Sequence, residues 1–568
     1  MKCLRLFLAL TVLVVFSGPC KAQILWTTDG VPVCATTAGQ ETPSLISDGA
    51  GGAIVAWANQ VTGSNYNIYA QRVDSNGNQM WGPEGVPVCT AIYDQLVPVI
   101  APDGAGGAII AWQDGRTDTG DTEIYAQRIS GNGIVQWAPD GVPVSTAPVD
   151  QLAPAIASDG AGGAFIAFKD TRNDALYGST DVYMQRIGPD GATLWPADLP
   201  IATSPLEDDR DVAMIPDGNG GAIIVWVDGR GITAVPPTSN DVYAQRVRPG
   251  GTLVWGASAL AICTAGNYQR FPDVVPDGAG GAIFCWDDRR SGTDYDIFAQ
   301  RVSSEGVVQW APNGVLVCGG TGGQMVPSMQ SDDSGGAVIA WTDSRTGSSL
   351  SNYDIYAQRM SGSGQPLWPS SGVLVCGAPG WQGRIKSAAR GSGRTFLAWA
   401  DNRVDPTNAT YNYDVYCQLV DSSGSSVWVA DGASACSANG RQELHRMIAT
   451  ANGTSVVVWQ DARSDANKDI YAQKIGDDAP VSVPTIAAAR ALADGVRVSL
   501  HDKIVSAVYD GAFYVQESDR SSGIRVSAIG AAEGQRVDVT GTLATVDGER
   551  VLESPAVTVL LGVDALQK

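Results

Sequence analysis

The sequence predicts an all-β protein: an eight-bladed β-propeller closed by an N-terminal strand, followed by a small five-stranded OB-like barrel. Three observations predict this fold class. A unit of about 57 residues recurs eight times along the chain. One strand of the last unit is found at the opposite end of the chain, and a different pattern of strands begins after Gln473.

Each unit combines a Gly-rich turn, an apolar strand that ends in an aromatic residue, and a strand close to IYAQR in sequence. The second unit reads QLVPVIAPDGAGGAIIAWQDGR and then EIYAQRISGNGIVQWAPDGVPV. The aromatic residue of the second strand follows the start of the turn by nine residues in all eight units. The stretch between the second and third strands varies in length, as expected for a packed blade with one exposed loop.

The ends of the chain predict how the ring of blades closes. The fourth strand of a unit is expected to begin near a Trp, such as Trp81, and the eighth copy of this residue is Trp26. The N-terminal segment should therefore supply the fourth strand of the last blade, whose other strands lie near residues 440–475. This offset leaves no sheet edge free for another chain.

The chain of 568 residues is predicted to divide into a signal peptide (1–22), a propeller (23–476), a linker (477–489) and an OB-like domain (490–568). Lys2 and Arg5 precede an apolar run, and small residues lie before Gln23, as in secretory signal peptides. We therefore expect a secreted protein, extracellular, periplasmic or at the cell surface, without a transmembrane segment.

Charge and cysteine content exclude several classes of function. The formal net charge of −22 argues against binding to nucleic acid, whose phosphates it repels. The sequence contains no cofactor motif and no suitably spaced metal ligands, so we expect no cofactor. Calcium binding stays an open alternative that no motif supports. We expect a monomer. Equivalent positions on different blades are too far apart for disulfides, which predicts free buried thiols at Cys34, Cys89, Cys263, Cys318, Cys376 and Cys436.

Seven units carry an Asp and an Arg two residues apart after the second-strand aromatic, as in Asp114 and Arg116. We expect the pair to hold the loop by charge-assisted hydrogen bonds. A catalytic pair of carboxylates is the alternative, but seven copies favour the structural role. The first unit has Asn59 and Val61 at these positions, which predicts a looser loop.

A single functional site is expected where the repeats differ, in the loops that enter the innermost strands near the channel mouth. Trp381 is the one Trp outside the repeat positions. We expect Trp381 and Tyr268 to stack on sugar rings and the Arg residues to pair with acidic groups. The candidate ligand-binding residues are Asp208, Asp209, Arg210, Tyr268, Arg270, Trp381, Arg384 and Arg441.

The pattern DGxGGAxxAWxDxR…DIYAQRxxxxG resembles the IYAQR repeats of large secreted or surface bacterial proteins, including adhesin-like chains. The resemblance spans about residues 23–475 and implies extracellular display, adhesion or glycan contact. The run VYDGAFYVQESDRSSGIRV followed by GQRVDVTGTL resembles OB-type modules appended to secreted bacterial proteins.

Three functions therefore stay open. The first is a binding or scaffold protein that recognises a glycan or an extracellular protein at the channel mouth. The second is a glycoside hydrolase or lyase that uses Asp208, Asp209 and Asp211 on the same face, which carboxylates within about 10 Å of each other would favour. The third is a purely structural display module, which predicts no concave polar pocket.

Overall fold

The structure is a computed structural model. It describes residues 23–62, 65–117, 120–173, 180–203, 210–229, 239–346, 352–405, 412–450, 453–463, 467–476, 481–491 and 497–560. The chain begins with two short strands, β1 (Gln23–Ile24) and β2 (Val31–Cys34), which belong to the last blade.

Seven blades take four consecutive antiparallel strands each, in order from the channel outward. Blades 1 and 2 are β3 (Gln40–Ser47), β4 (Ala53–Thr62), β5 (Asn65–Val73), β6 (Val86–Cys89), β7 (Gln95–Pro102), β8 (Ala108–Asp114), β9 (Glu123–Ile129) and β10 (Val142–Ser145). Blades 3 and 4 are β11 (Gln151–Ser158), β12 (Ala164–Asp170), β13 (Asp181–Ile187), β14 (Leu199–Ala202), β15 (Arg210–Pro216), β16 (Ala222–Asp228), β17 (Asp241–Val247) and β18 (Leu260–Cys263).

The second half of the ring repeats this order. Blades 5 and 6 are β19 (Gln269–Pro276), β20 (Ala282–Asp288), β21 (Asp296–Val302), β22 (Val315–Cys318), β23 (Gln324–Ser331), β24 (Ala337–Asp343), β25 (Asp354–Met360) and β26 (Val373–Cys376). Blade 7 and the last three strands of the ring are β27 (Gln382–Gly391), β28 (Arg394–Asp401), β29 (Asp414–Val420), β30 (Ala433–Cys436), β31 (Gln442–Thr450), β32 (Thr454–Asp461) and β33 (Asp469–Gly476).

The N-terminal segment closes the ring as the sequence predicts. β2 pairs antiparallel with β33, with Val31 opposite Ala472, and β1 continues along the same strand. Between them, the Trp26 N–H donates to the Gln473 side chain at 3.1 Å. The predicted all-β, eight-bladed propeller is confirmed.

The core lies between blades. The Trp that ends the second strand is fully buried in seven blades, and Phe168 takes its place in blade 3. Trp81 lies in the turn before β6 rather than at the start of the fourth strand, because the Gln71 side chain accepts its backbone N–H at 2.9 Å. Its indole N–H donates to the Gly131 carbonyl of the next blade at 3.3 Å, so this Trp links two blades.

The Asp–Arg pairs hold the loops between the second and third strands. In blade 5, Arg290 contacts Asp288 at 2.6 Å and donates to the Asn313 carbonyl at 2.8 Å. Its guanidinium lies 3.6 Å from the centroid of the Phe298 ring, and the Trp286 indole donates to the same Asp288 at 2.8 Å. Five further pairs repeat this ion pair at Asp114, Asp170, Asp343, Asp401 and Asp461; Arg230, the predicted partner of Asp228, lies outside the described residues.

A second set of ion pairs, absent from the sequence prediction, lies at the Gly-rich turns. Asp277 accepts two backbone N–H groups of its own turn at 2.8 Å and pairs with Arg301 at 3.0 Å. Arg301 also donates to the Gly362 carbonyl of blade 6 at 2.9 Å. The Asp of the turn therefore orders the hairpin and holds the Arg that reaches the next blade.

Blade 1 differs from the prediction of a looser loop. Its second and third strands extend past the missing pair, with Asn59 opposite Asn67 and Gln60 opposite Tyr66. Backbone pairing thus replaces the side-chain ion pair. The absence of the Asp has one consequence: the buried Trp57 indole N–H has no hydrogen-bond partner among the described residues.

The C-terminal unit is a closed five-stranded barrel, β35 (Arg497–Tyr509), β36 (Ala512–Gln516), β37 (Gly523–Val526), β38 (Arg536–Val546) and β39 (Glu549–Val559). The strands follow the order β35-β36-β37-β39-β38, and β38 pairs back with β35. β38 and β39 are joined by a tight turn at Asp547 and Gly548, which both have positive φ. A short strand, β34 (Val481–Ser482), and a helix, α1 (Ile486–Arg490), lie in the stretch predicted as a linker.

The eight cysteines from Cys34 to Cys436 are free and buried, and they include the six for which the sequence predicts this. Burial raises the pKa of the Cys89 thiol to about 12. In the part of the chain that the structure describes, no helix is long and apolar enough to cross a membrane.

Candidate ligand site at the channel mouth

When residues are counted from the position equivalent to Gln40, every inner strand has the same irregularity at its third residue; β15 begins one position later than the others. The register between the first and second strands shifts there, as between Arg270 and Asp273 in blade 5. The third residue adopts a φ between 47° and 56° in all eight blades although none is glycine, a conformation that costs about 1–2 kcal/mol. The eight residues are Thr42, Val97, Ala153, Asp211, Phe271, Val326, Arg384 and Leu444.

The fifth residue of each inner strand shows how the channel is lined. In five blades this residue is small or apolar: Ser44, Val99, Ala155, Ala213 and Ser328. In the other three blades it is charged, as Asp273 in blade 5, Lys386 in blade 7 and Arg446 in blade 8. At this position, charged residues therefore occur in blades 5, 7 and 8 alone.

The charges in this lining act on each other between blades. Burial lowers the pKa of Lys386, and the neighbouring Arg446 lowers it further. Burial raises the pKa of Asp273, an effect that the Met329 N–H and Lys386 partly oppose. Blade 6 lies between blades 5 and 7, so the attraction between Asp273 and Lys386 acts past one intervening blade. Burial and Arg384 also lower the pKa of Arg446.

His445 lies beside this cluster. Its side chain is buried, and burial together with Lys386 lowers its pKa to about 3, so the ring is neutral at pH 7. Nε2 lies 3.2 Å from the Ala398 carbonyl, whereas Nδ1 has no partner among the described residues. His445 thus adds no charge to the basic cluster at pH 7.

Trp381 is held in its loop by a glycine. A Cβ on Gly383 would lie 2.4 Å from the Trp381 ring, so the ring occupies space that a side chain fills in other inner strands. Trp381 meets Tyr413 edge to face at 5.3 Å between centroids and stays partly exposed. Arg441 lies 5.6 Å from the Tyr413 centroid and pairs with Glu443 at 2.6 Å.

The predicted residues of blade 5 form a separate group. Arg270 pairs with the buried Asp287 at 3.1 Å and stacks 3.7 Å from the centroid of Tyr295. Burial raises the pKa of Asp287 to about 6, which Arg270 opposes. Tyr268 forms a bridge with Asn240 of blade 4. These contacts fix the loop and leave Arg270 committed to an internal partner.

Seven of the eight inner strands begin at a glutamine. Six of these glutamines donate to carbonyls of their own loops, as Gln151 does to Val149 at 2.7 Å and Gln442 to Gly440 at 3.0 Å. Gln382, next to Trp381, is the exception, since neither atom of its buried amide has a partner in the described part of the chain.

Three predicted residues are not described. Asp208 and Asp209 lie outside the described residues, and Arg210 begins β15 with its side chain outside them. The proposed set of catalytic acids is thus reduced to Asp211, which is partly buried. Sequence reasoning missed Lys386 and Arg446; the signal was a charged residue at a position where most blades have a small one.

A cavity of about 380 Å³ lies elsewhere on this face, at blade 2. It is lined by residues of the two loops around Gln113, including Asp94 and Asp121, with no basic side chain among its lining residues. It is a shallow gap between loops. The unpaired charges of blades 7 and 8 give the channel mouth the stronger chemical case as a binding site.

Comparison with known proteins gives similarity of fold alone. No protein-family profile and no curated protein matches the chain. It is similar to a protein of unknown function from Dyadobacter fermentans DSM 18053, with 10% identity over 79% of this chain and 97% of that chain and a TM-score of 0.35. It is also similar to the polysaccharide lyase Uly1 (7% identity, 77% and 99% coverage, TM-score 0.42).

A third similar structure is the alpha-L-arabinanase of Penicillium chrysogenum complexed with arabinobiose, at 15% identity over 57% of this chain and 94% of that chain, with a TM-score of 0.33. Fold and site together define an eight-bladed β-propeller with one strongly basic sector at its channel, joined to an OB-like barrel.

Proposed function

We propose that this protein is a secreted glycan-binding protein that recognises acidic glycans at the channel mouth of blades 7 and 8. One observation carries the proposal. Lys386 and Arg446 lie on the neighbouring inner strands β27 and β31, Arg446 lowers the pKa of Lys386, and Arg384 lowers the pKa of Arg446. No ion pair among the described residues includes any of these three cations. Six other Arg residues of the propeller are paired with the Asp two residues before them.

A cluster of unpaired cations is unfavourable by itself, since like charges repel and burial removes their hydration. Such a cluster persists where an anion supplies the missing charge. The chain carries a net charge of −22, so this local excess of positive charge is opposite in sign to the protein as a whole. Long polyphosphates are repelled by that overall charge, which favours a less densely charged polymer.

The aromatic residues beside the cluster favour a sugar. Trp381 precedes Arg384 by three residues and is partly exposed beside Tyr413. Aromatic rings present a flat apolar surface with a polar edge, which suits the apolar face of a sugar ring. Ligand sites of this kind combine apolar contact with a few convergent polar groups.

A glycan array tests the proposal with residues 23–568, with and without calcium. We expect binding to glycans that carry carboxylate or sulfate groups, and we expect it to weaken as salt is raised because Arg384 is exposed to solvent. Arg384→Ala should lower the affinity at least tenfold. Arg248→Ala, which removes an exposed Arg from the turn between β17 and β18, is the matched control.

A blank array would contradict the proposal and favour a protein partner or structural display. Equal binding to neutral and acidic glycans would also contradict it, because the basic cluster would then have no role. Loss of binding in Trp381→Ala with full retention in Arg384→Ala would assign recognition to stacking alone.

A further inference from the structure

The outermost strand of each blade is a sheet edge. Closure of the ring covers β33, but each blade still ends in a four-residue strand that pairs with the third strand of that blade. The expectation that no edge stays free therefore does not extend to these outermost strands. A sheet edge presents backbone N–H and C=O groups to which another extended chain can add. Proteins commonly block such edges with proline or with charged residues.

Proline blocks the edge in half of the ring. The register with the third strand is the same with and without proline, since Tyr69 lies opposite Pro87 in blade 1 and Phe298 lies opposite Leu316 in blade 5. Because proline has no N–H, the pairing of the two strands uses none at this position. The N–H of Leu316 is thus available to a chain outside the sheet. The prolines, in the consecutive blades 8, 1, 2 and 3, are Pro32, Pro87, Pro143 and Pro200.

Acidic residues distinguish the same edges. Five blades carry an acid one or two positions before the fourth strand: Asp29, Glu84, Asp140, Asp198 and Asp431. Blades 4, 5 and 6 have no charged residue there or elsewhere in the segments around their fourth strands, residues 249–269, 306–331 and 360–383. Charged residues that reach these segments from other strands, such as Arg290 and Asp296, have counterparts in most blades. Three adjacent blades therefore lack both blocking features.

Blades 5 and 6 also present exposed leucines at these edges. Leu316 is 52% exposed and Leu374 is 51% exposed, at the position where blade 4 has Ala261 and blade 7 has Ser434. Both leucines lie in the same strand sequence, Val-Leu-Val-Cys. In strand addition, backbone hydrogen bonds supply affinity and alternate side chains supply specificity. These two edges offer an available N–H together with an apolar side chain for such contacts.

The occupant that fits is an extended segment of another protein and not a second copy of this chain. The rim of the ring is convex, so two copies would meet at one blade and pair over only the four residues of one edge. Two copies that each carry a net charge of −22 also repel each other. A single extended segment can follow one edge without bringing a second ring, and the same repulsion disfavours acidic residues within it.

We propose that β22 (Val315–Cys318) and β26 (Val373–Cys376) are docking edges for an extended segment of a partner protein, with apolar residues at alternate positions and no acidic residues. The inference goes beyond the proposed function, because it uses none of Arg384, Lys386 and Arg446. A chain with both sites binds a glycan at the channel mouth and a second protein at its rim.

The repeats supply the variants for a test. The probe is an array of short peptides in which apolar and polar residues alternate, with and without acidic residues, incubated with residues 23–568. Wild type should bind non-acidic peptides, and the double variant Leu316→Pro, Leu374→Pro should bind them about tenfold more weakly or worse. Proline is native at this position in four blades, so the fold tolerates it. Leu367→Gln is the control, because it removes another leucine that is 51% exposed and introduces the residue found at Gln136 and Gln309.

Failure of the array to bind wild type, or equal binding by the double proline variant, would overturn the inference and leave the proposed glycan site standing. Wild type that forms dimers at high concentration, with Leu316→Pro monomeric by light scattering, would assign the edge to self-pairing and would also overturn it. Glycan binding should be the same in wild type and in the double proline variant.

A gain of binding keeps the test independent of the proline variants. Pro87→Leu with Glu84→Asn gives blade 1 the edge residues of blade 5. Calorimetric titration with a peptide selected on the array should then rise from two peptides per protein to three. An unchanged stoichiometry would overturn the inference, because the edge sequence would not determine binding.

Discussion

At the scale of single residues, His445 occupies a position where five other inner strands carry proline. The proline ring needs no hydrogen bond there, whereas the histidine is buried with one ring nitrogen unpaired. Its pKa of about 3, against 6.5 for a free histidine, makes the folded state a weaker proton acceptor than the unfolded chain. The consequence is a dependence of stability on pH.

His445→Pro should remove that dependence. In the wild type, the unfolded chain binds the proton first, so stability falls as pH drops below about 6.5 and continues to fall until about 3. Between pH 7.5 and 4.5 the loss from this residue is about 3 kcal/mol. The measurement is urea unfolding at both pH values; His501→Gln, an exposed histidine in the barrel, is the control. An unchanged difference between the two pH values in His445→Pro would contradict the assignment.

Tryptophan fluorescence makes such measurements specific. All 16 Trp residues lie between Trp26 and Trp459, and the barrel has none. Unfolding of the propeller is therefore followed without a contribution from the C-terminal unit.

At the scale of elements, the Asp–Arg pair and the aromatic residues around it form one stabilising cluster in a blade. Asp288 is fully buried, and its charge is offset by Arg290 and by hydrogen bonds from Trp286 and the loop. The cluster joins the second strand to the segment before the fourth strand, because Arg290 donates a hydrogen bond to the Asn313 carbonyl. Removing the cation leaves a buried carboxylate with only neutral donors.

We expect Arg290→Met to lower the free energy of unfolding of the propeller by about 3–5 kcal/mol, because it strands a buried charge. Arg248→Met, at an exposed position, should change it by less than about 0.5 kcal/mol. Urea unfolding followed by Trp fluorescence measures both. Equal stability of the two variants would show that the ion pair is dispensable.

The elements were predictable to the extent that they repeat. The spacing of Trp and Tyr residues predicts the blades, and the repetition of Asp and Arg two residues apart predicts the ion pair that holds the loop between the second and third strands. The second ion pair, between Asp277 and Arg301, is also repeated. It was not predicted, because its Asp belongs to the Gly-rich turn and its Arg to the IYAQR strand, and these two motifs are well separated in the sequence. The positive φ at the third residue of the inner strands could not be predicted, because this position holds eight different residue types and none of them is glycine.

At the scale of the whole molecule, the ring depends on a strand from the far end of the chain. Trp26, Val31 and Val33 are buried in blade 8, so the segment contributes core as well as backbone pairing. Without it, the outer edge of β33 would be unpaired and open to other chains.

Removing residues 23–34 should therefore convert a single species into oligomers or aggregates, measured by size-exclusion chromatography with light scattering. A synthetic peptide of residues 23–34 added in trans should restore the monomeric elution. The same peptide with Trp26→Ala and Val33→Asp should not. A truncated protein that stays monomeric and melts like the wild type would contradict this role.

The site is a property of the ring and for that reason was only partly predictable. Trp381 and Arg384 differ visibly from their counterparts in other repeats. Lys386 and Arg446 look like ordinary surface charges until the fold places the inner strands β27 and β31 side by side. Asp273, which attracts Lys386, belongs to a blade more than a hundred residues earlier in the chain. Proximity between blades has no signature in the local sequence.

The closing strand also sets the order of events when the protein is made. Trp26 and its partner Gln473 are separated by 447 residues. A ribosome that adds roughly 5–20 residues per second takes about 20–90 s to cover that distance. During this interval the first strands synthesised have no native partner. Blade 8 is thus the last blade to be completed, and the time at which the propeller becomes resistant to proteolysis is set by the meeting of the N-terminal segment with β33.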